Sequence, residues 1–246
     1  METSMAEQLI LEFPACPEHT FASFIVSEGS RFAFETAKKF SLEDPGLQYS
    51  SLFIYATKNM GKSHLLHSIG NHVAQSNPGK KALYIHTSDF IKKVNSGDAN
   101  ETVKKMDEVD ILLLDDVQHL DGLQAPQEKL YSIYNDFREK KKKLVLAADR
   151  PPDQLTKIED YLRSRFQWGM MAEIKAMDPD STAKLFVKLA QDAGLVIPEN
   201  VVDYLLLRIP RDFISVTESV ETLNRASYQQ KRKVSIPLAK SALNLD

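Results

Sequence analysis

One short run, residues 52–64, constrains the fold of this chain more than any other. An apolar strand-like stretch leads into a loop that ends at Gly61, Lys62 and Ser63, and an amphipathic segment follows as a helix. In such a loop, backbone N–H groups at a helix N-terminus cradle phosphates, a lysine reaches the β and γ phosphates, and a hydroxyl binds Mg²⁺. We therefore expect nucleotide (ADP or ATP) and Mg²⁺ here, bound by a consecutive run: Asn59, Met60, Gly61, Lys62, Ser63 and His64.

The loop departs from the usual phosphate-binding pattern at its start. GxxxxGK[ST] requires a glycine where this chain has Ala56, so Gly61 is the one glycine in the loop. Asn59 is the next best residue for a left-handed turn, at a cost of roughly 1–2 kcal/mol. Nucleotide binding survives a cost of that size, whereas efficient hydrolysis requires precise placement of the phosphates. We expect a nucleotide-binding protein rather than an efficient ATPase.

Two acids at the end of a buried strand supply the second half of the nucleotide signature. Residues 111–114 are all apolar, which is typical of a strand buried on both faces, and Asp115 and Asp116 follow directly. At the carboxyl end of a parallel strand, Asp115 is expected to hold the Mg²⁺ shell with Ser63, and Asp116 to orient or deprotonate water. The alternative is a helix cap or a solvated turn.

Alternating strand and helix patterns over residues 50–175 predict an α/β fold with a parallel sheet flanked by helices. From residue 177 the pattern becomes helical. Asp178 and Pro179 predict a helix start, and Gly194 predicts its end. We predict three parts: a tail over residues 1–19, an α/β nucleotide-binding domain over 20–176 and an all-helical lid over 177–246.

The tail contains one patterned segment, residues 8–13. Gln8 is followed by spaced apolar residues, Leu9, Leu11 and Phe13, and proline ends the segment. Such a segment docks extended into the apolar groove of a partner. It also suits an edge strand or a cover for the domain's own core, and the residues alone leave both interpretations open.

Composition excludes several classes of protein. A formal charge of −3 and a pI near 6.1 do not suggest a dedicated nucleic-acid binder, although the basic runs 140–143 and 231–233 leave non-specific DNA contact open. The single Cys16 excludes an internal disulfide, makes a zinc site unexpected and suits a reducing cytoplasm. No stretch has the ~20 apolar residues of a membrane span. Arg163 and Arg165 either serve a neighbouring subunit's phosphate or pair with surface acids such as Asp160.

Four blocks in order resemble the Hda/DnaA-like AAA+ family of bacterial replication initiation. They are residues 61–67 (GKSHLLH), 114–118 (LDDVQ), 149–152 (DRPP) and 163–169 (RSRFQWG). The resemblance implies an AAA+ fold with a helical lid. It also implies that Asp149 belongs to a sensor block, and that Arg165 is an arginine finger offered in trans, with Asp116 as the other catalytic residue.

The resemblance further implies two partners, the AAA+ domain of a DnaA-type initiator and the DNA polymerase sliding clamp. The segment Gln8–Phe13 resembles the family's clamp-binding peptide, which favours the docking interpretation. A second sensor arginine is replaced by Ile214, and Tyr161 stands where the initiator has a further arginine. The hypothesis is a clamp-tethered regulator that promotes hydrolysis of initiator-bound ATP. The alternatives are an AAA+ ATPase or helicase loader using its own ATP, and a non-catalytic replication scaffold; homo-oligomerisation stays open.

Overall fold

The computed structural model describes residues 10–42, 49–96 and 104–245. Contacts divide the backbone into two compact units. The first comprises residues up to Val26 and Arg31–Ile174, and the second comprises Ser27–Ser30 and Lys175 onward. The two units are described separately below.

The first unit is built on a six-stranded sheet. In chain order the strands are β1 (Ile10–Glu12), β2 (Ser51–Tyr55), β3 (Ala82–His86), β4 (Ile111–Asp115), β5 (Lys143–Ala148) and β6 (Met170–Glu173). Their order across the sheet is β1-β3-β4-β5-β2-β6. Five strands run parallel, as predicted, and β1 is added antiparallel along β3 with Leu11 opposite Tyr84.

Helices cover both faces of the sheet. They are α1 (Glu28–Ser41), α2 (Lys62–Ser76), α3 (Thr87–Asn95), α4 (Gln124–Glu139) and α5 (Asp160–Gln167). The strand positions alternate between two apolar clusters, one against α3, α4 and α5 and the other against α1 and α2. Because both faces are covered, β4 is buried along its whole length, which explains its uninterrupted apolar run.

Strand order determines where the candidate site lies. β5 pairs with β2 on one side and with β4 on the other. The loop after β2, the acids that end β4 and Asp149 after β5 therefore meet at one edge of the sheet. This is the edge where parallel α/β sheets bind ligands. After β3 the chain forms α3, and residues 97–103 lie outside the described residues.

The second unit contains α6 (Pro179–Asp192), α7 (Glu199–Leu206), α8 (Phe213–Gln230) and α9 (Ile236–Leu243). Asp178 caps α6 by accepting the Ser181 N–H at 2.8 Å, and Gly194 follows the helix with a left-handed φ of 67°. Val216, Val220 and Leu223 of α8 are buried, whereas Phe213, the first residue of the helix, is 45% exposed. None of the described helices is long and apolar enough to cross a bilayer.

Candidate nucleotide site and arginine finger

The loop between β2 and α2 makes two left-handed turns. Asn59 has a φ of 66° and Gly61 a φ of 91°. Asparagine tolerates this conformation better than most residues, which explains how the loop closes with a single glycine. Gly61 is required sterically as well, because a Cβ there would lie 2.9 Å from the Phe24 ring. The first turn of α2 carries no acidic residue, so the positive end of this helix faces the loop without a competing charge.

Lys62 is turned onto its own loop. Its ammonium donates to the carbonyl oxygens of Ala56 at 3.0 Å and Thr57 at 3.2 Å, and the residue is 7% exposed. A buried ammonium needs such acceptors, because an unpaired charge in an apolar setting is costly. Phosphate oxygens are stronger acceptors for an ammonium than carbonyls are. Lys62 is therefore held where an incoming phosphate can replace neutral partners.

Asp115 is buried at the end of β4, at 1% exposure. One oxygen accepts the Tyr84 hydroxyl at 3.0 Å and the other accepts the Asp116 N–H at 2.9 Å. Burial raises the pKa of this carboxyl, and a hydrogen bond from Ser63 opposes that rise. The structure thus brings together the two predicted metal ligands, Ser63 and Asp115. A hydroxyl beside a carboxylate is the hard-oxygen pair that Mg²⁺ prefers.

Asp116 has a different environment from its neighbour. His86 Nδ1 accepts the Ser88 N–H at 3.2 Å, so its Nε2 carries the proton and donates to Asp116 at 3.2 Å. Gln118 donates to the other carboxylate oxygen at 2.9 Å. The hydrogen bond from His86 is the main reason that the pKa of Asp116 is lowered to about 2. Because a general base works best with a pKa near the working pH, this carboxylate suits orienting a water better than deprotonating it.

The predicted sensor residue, Asp149, is connected to the acids through Gln118. The Gln118 side chain accepts the Asp149 N–H at 3.1 Å while it donates to Asp116. The Asp149 carboxylate itself accepts from Arg150, at 2.8 Å from Nε. Tyr84, His86 and Gln118 are further residues of the site for which the sequence pattern predicts no role. Tyr84 and His86 could have been considered from the sequence, because both lie on β3, the strand that pairs with β4 and its terminal acids.

The two arginines of α5 have different partners. Arg163 pairs with Asp160, the outcome expected of a surface arginine. Arg165 stacks on the Trp168 ring at 3.9 Å and donates to Asn135 at 3.1 Å and to the Tyr131 hydroxyl at 3.3 Å. In the part of the chain that the structure describes, no carboxylate pairs with Arg165. Neutral groups therefore orient its guanidinium, and no described acid neutralises its positive charge.

The tail follows the edge-strand arrangement over its described part. Gln8 and Leu9 lie outside the described residues, and Leu11 lies in β1. Phe13 packs on α2: a Cβ at Gly70 would lie 2.2 Å from its ring, and the His67 ring lies 6.0 Å away. In this structure β1 therefore extends the domain's own sheet, and Phe13 packs on α2.

The basic run at 140–143 has local partners. Lys140 pairs with Asp107 at 2.9 Å, and Lys143 donates to the carbonyls of Phe40 at 2.7 Å and Leu42 at 2.6 Å. These lysines stabilise the turn between α4 and β5. The ammonium groups of Lys140 and Lys143 are therefore already bound to groups of the same unit.

Comparison with known proteins agrees with this geometry. Residues 16–173 match the family model of the bacterial DnaA ATPase domain. The chain belongs to the bacterial DnaA ATPase-domain family. Residues 178–243 match a second model, described as the lid domain of Hda. The predicted Hda/DnaA-like AAA+ membership and the predicted AAA+ fold are thus confirmed.

Relatives of this DnaA-type chain extend beyond it. It is 38% identical over 197 residues to the chromosomal replication initiator protein DnaA of Symbiobacterium thermophilum, covering 78% of this chain but 43% of that protein. Domain III of Thermotoga maritima DnaA superposes with a TM-score of 0.81 at 31% identity, over 94% of this chain and 98% of that one. A DnaA bound to AMPPCP and single-stranded DNA gives 0.76 at 30% identity, over 88% and 69%.

Proposed function

We propose that this protein is a nucleotide-binding regulator of chromosomal replication initiation that promotes hydrolysis of ATP bound to a DnaA-type initiator. The observation that carries the proposal is the setting of Arg165. Its guanidinium lies over Trp168, is oriented by Asn135 and Tyr131, and is neutralised by no described carboxylate. A planar, pre-oriented guanidinium is what an arginine finger requires.

The protein's own site is suited to holding a nucleotide. ATP analogue is present in the related DnaA structure, and the loop lysine, the helix N-terminus and the pair Ser63 and Asp115 are in place here. Bound Mg²⁺ would shield phosphate charge, with Ser63 and Asp115 holding it. Asp116, with a pKa of about 2, stays ionised and suits orienting a water better than deprotonating it. We therefore assign the chain's own nucleotide, ADP or ATP, to a structural role.

The contribution of Arg165 follows from charge. In phosphoryl transfer, negative charge spreads over the γ-phosphate oxygens, and a guanidinium supplied in trans increases the rate by roughly 10³–10⁵. Arg163 offers the same group two positions away but is paired with Asp160. To reach the initiator's ATP, the guanidinium of Arg165 requires contact between the AAA+ domain of this protein and that of the initiator.

The test compares Arg165→Ala with Arg163→Ala in an assay of single-turnover hydrolysis of initiator-bound ATP. Arg165→Ala should lose nearly all stimulation, and Arg163→Ala should keep most of it. Equal stimulation by Arg165→Ala and the unmodified protein would disprove the proposal. Intrinsic ATP turnover that disappears in Lys62→Ala would favour an ordinary AAA+ ATPase instead.

We also propose that the segment Gln8–Phe13 binds the sliding clamp and tethers this activity to DNA in the cytoplasm. Its support is the resemblance of Gln8, Leu9, Leu11 and Phe13 to the family's clamp-binding peptide. Tethering raises the local concentration into the mM range, so that a weak contact between AAA+ domains suffices. The described part of the segment pairs with β3, so clamp binding would require β1 to leave that edge.

Because Phe13 packs on α2, its substitution would disturb the fold, and the clamp test is better made with Gln8→Ala. Binding of purified protein to its sliding clamp should be lost in Gln8→Ala and kept in a control, Glu12→Ala, whose side chain is exposed. Undiminished clamp binding by Gln8→Ala would show that this glutamine is not the anchor.

A further inference from the structure

Three potential metal ligands converge between the start of the chain and α2. Cys16 and His19 lie on the loop after β1, and His67 lies one turn beyond the phosphate-binding loop. One ligand atom from each residue lies within 4.8 Å of the other two. This group, hereafter the Cys16 cluster, does not include any residue predicted to bind nucleotide.

The histidines of the Cys16 cluster carry buried nitrogen atoms without partners. The Nδ1 atoms of His19 and His67 make no hydrogen bond to any residue that the structure describes. His67 is 6% exposed, so bulk water does not solvate its ring freely. Leaving a buried polar atom unsatisfied is unfavourable, and native proteins rarely do so without a ligand, ion or water. A cation that accepts the nitrogen lone pairs would satisfy both atoms.

The loop that presents Cys16 and His19 is fixed by one side chain. Asn71 of α2 accepts the Ala15 N–H at 2.9 Å and donates to the carbonyls of Cys16 at 3.2 Å and His19 at 2.9 Å. The His19 N–H also donates to the Cys16 carbonyl at 2.8 Å. Outer hydrogen bonds of this kind orient the ligands of metal sites. The loop is thus held against the helix that supplies the third ligand.

We propose that Cys16, His19 and His67 form a Zn²⁺ site, with water as the fourth ligand. One thiolate and two imidazoles are a ligand set that suits zinc, whose bonds to sulfur and nitrogen are about 2.3 and 2.0–2.1 Å. Tetrahedral ligand atoms at those bond lengths lie roughly 3.3–3.6 Å apart. The ligand atoms here lie within 4.8 Å of one another, so each pair must approach by at most about 1.5 Å to reach that geometry. Binding forms the zinc–sulfur bond and releases the thiol proton to solvent.

The lowered pKa of His67 favours metal binding, whereas the raised pKa of Cys16 opposes it. Burial and the neighbouring His19 and His64 lower the pKa of His67 to about 4, so its ring is neutral and has a free lone pair at neutral pH. Burial raises the pKa of the Cys16 thiol, and this proton is the one the metal displaces. His64 is not included, because its Nε2 is already within hydrogen-bond distance of the Thr20 carbonyl, at 3.0 Å.

A metal here would join the tail loop to α2 directly behind the nucleotide site. The His67 ring stacks on Tyr84 with 4.4 Å between centroids, and the Tyr84 hydroxyl donates to Asp115. Zinc would thus fix the position of the His67 ring, which stacks on Tyr84. The proposal does not depend on the regulatory function, since it concerns this chain's own residues alone.

The first test is metal binding to the purified full chain after removal of metals with a chelator. Titration with Co²⁺ should give tetrahedral d–d bands and a thiolate-to-cobalt charge-transfer band that saturate at one equivalent, and Zn²⁺ should displace the cobalt. Cys16 is the single cysteine in the sequence, so the charge-transfer band reports this site specifically. Zn²⁺ should also raise the unfolding temperature. Absence of the charge-transfer band in the folded native chain would overturn the proposal.

The second test uses variants. Loss of an outer hydrogen-bond partner typically weakens metal binding 10–100-fold, so removal of a direct ligand in Cys16→Ser or His19→Gln should weaken Zn²⁺ binding by at least about 100-fold. His72→Gln, on the same helix but outside the cluster, is the matched control and should bind Zn²⁺ as the native chain does. Circular dichroism of the metal-free variants verifies their folding. Zn²⁺ binding of native strength in both ligand variants would place the ion elsewhere and refute the assignment.

Discussion

Two cations in the first unit, Lys62 and Arg165, have contrasting environments. Lys62 is almost fully buried, and its ammonium is hydrogen-bonded to carbonyls of its own loop. Arg165 is partly exposed and rests on an aromatic ring with two neutral acceptors. A ligand of Lys62 must enter the chain's own site, whereas a ligand of Arg165 can arrive on another molecule. The contrast supports our proposal that Lys62 holds a nucleotide and that Arg165 acts on a partner.

The most severe test of this contrast is Arg165→Lys, which keeps the charge and removes the planar fork. We expect stimulation of initiator-bound ATP hydrolysis to fall by about 10³-fold or more, close to the loss in Arg165→Ala, because a point charge does not reproduce the guanidinium geometry. The chain's own ADP affinity, measured by calorimetry, should not change. A lysine variant with native stimulation would show that charge alone suffices.

Lys62→Ala tests the other side of the contrast. Loss of a charge-assisted hydrogen bond worth about 1.5–3 kcal/mol should weaken ADP binding roughly 10–100-fold. Lys58→Ala is the matched control, since Lys58 is an exposed lysine of the same loop. Equal ADP affinity in Lys62→Ala and Lys58→Ala would mean that Lys62 does not leave the loop carbonyls for a phosphate.

Trp168→Ala removes the ring under Arg165 and leaves the arginine itself. A partly exposed cation–π contact contributes about 0.5–1 kcal/mol, so stimulation should fall by about 2–5-fold while ADP affinity stays constant. Trp168→Phe keeps an aromatic face and should recover most of the loss. If Trp168→Ala stimulated hydrolysis normally, the stack would not contribute to positioning.

The smallest effect concerns the His86 and Asp116 pair and depends on pH. The pKa of His86 is raised and that of Asp116 lowered to about 2, mainly by their shared hydrogen bond. The pair therefore stabilises the fold fully between about pH 4 and 6.5, the unfolded pKa values. The histidine contribution disappears as pH rises through its raised pKa, and the aspartate contribution as pH falls towards 2.

Urea unfolding of His86→Gln measures this effect. The native chain should be more stable than His86→Gln by about 1 kcal/mol or less at pH 5.5, as for a partly exposed ion pair, and the difference should shrink at pH 8.5. His72→Gln should show the opposite trend, because burial lowers the pKa of His72 and protonation at low pH opposes folding of the native chain. A stability difference in His86→Gln that grows with pH would contradict the assignment.

Much of the fold was readable from residue patterns. Five parallel strands follow from short apolar runs, the α2 start from Gly61, and the α6 start from Asp178 and Pro179. Periodicity alone does not show that Phe213, at the start of α8, is exposed while Val216, Val220 and Leu223 are buried. The tail was ambiguous from sequence, because a short apolar pattern suits both an edge strand and a docking peptide; its described part forms β1.

The sequence by itself determined the local chemistry: a loop that can close around phosphates, two acids after a buried strand, and arginines near a tryptophan. Each depends on residues adjacent in the chain, where propensity and hydrogen-bonding groups act over a few residues. Tertiary structure alone decided that His86 donates to Asp116, that Arg165 is oriented by Asn135 and Tyr131, and that His67 lies beside Cys16 and His19. Those outcomes depend on packing between distant segments, because burial and partner geometry set pKa values, pairing and ligand distances.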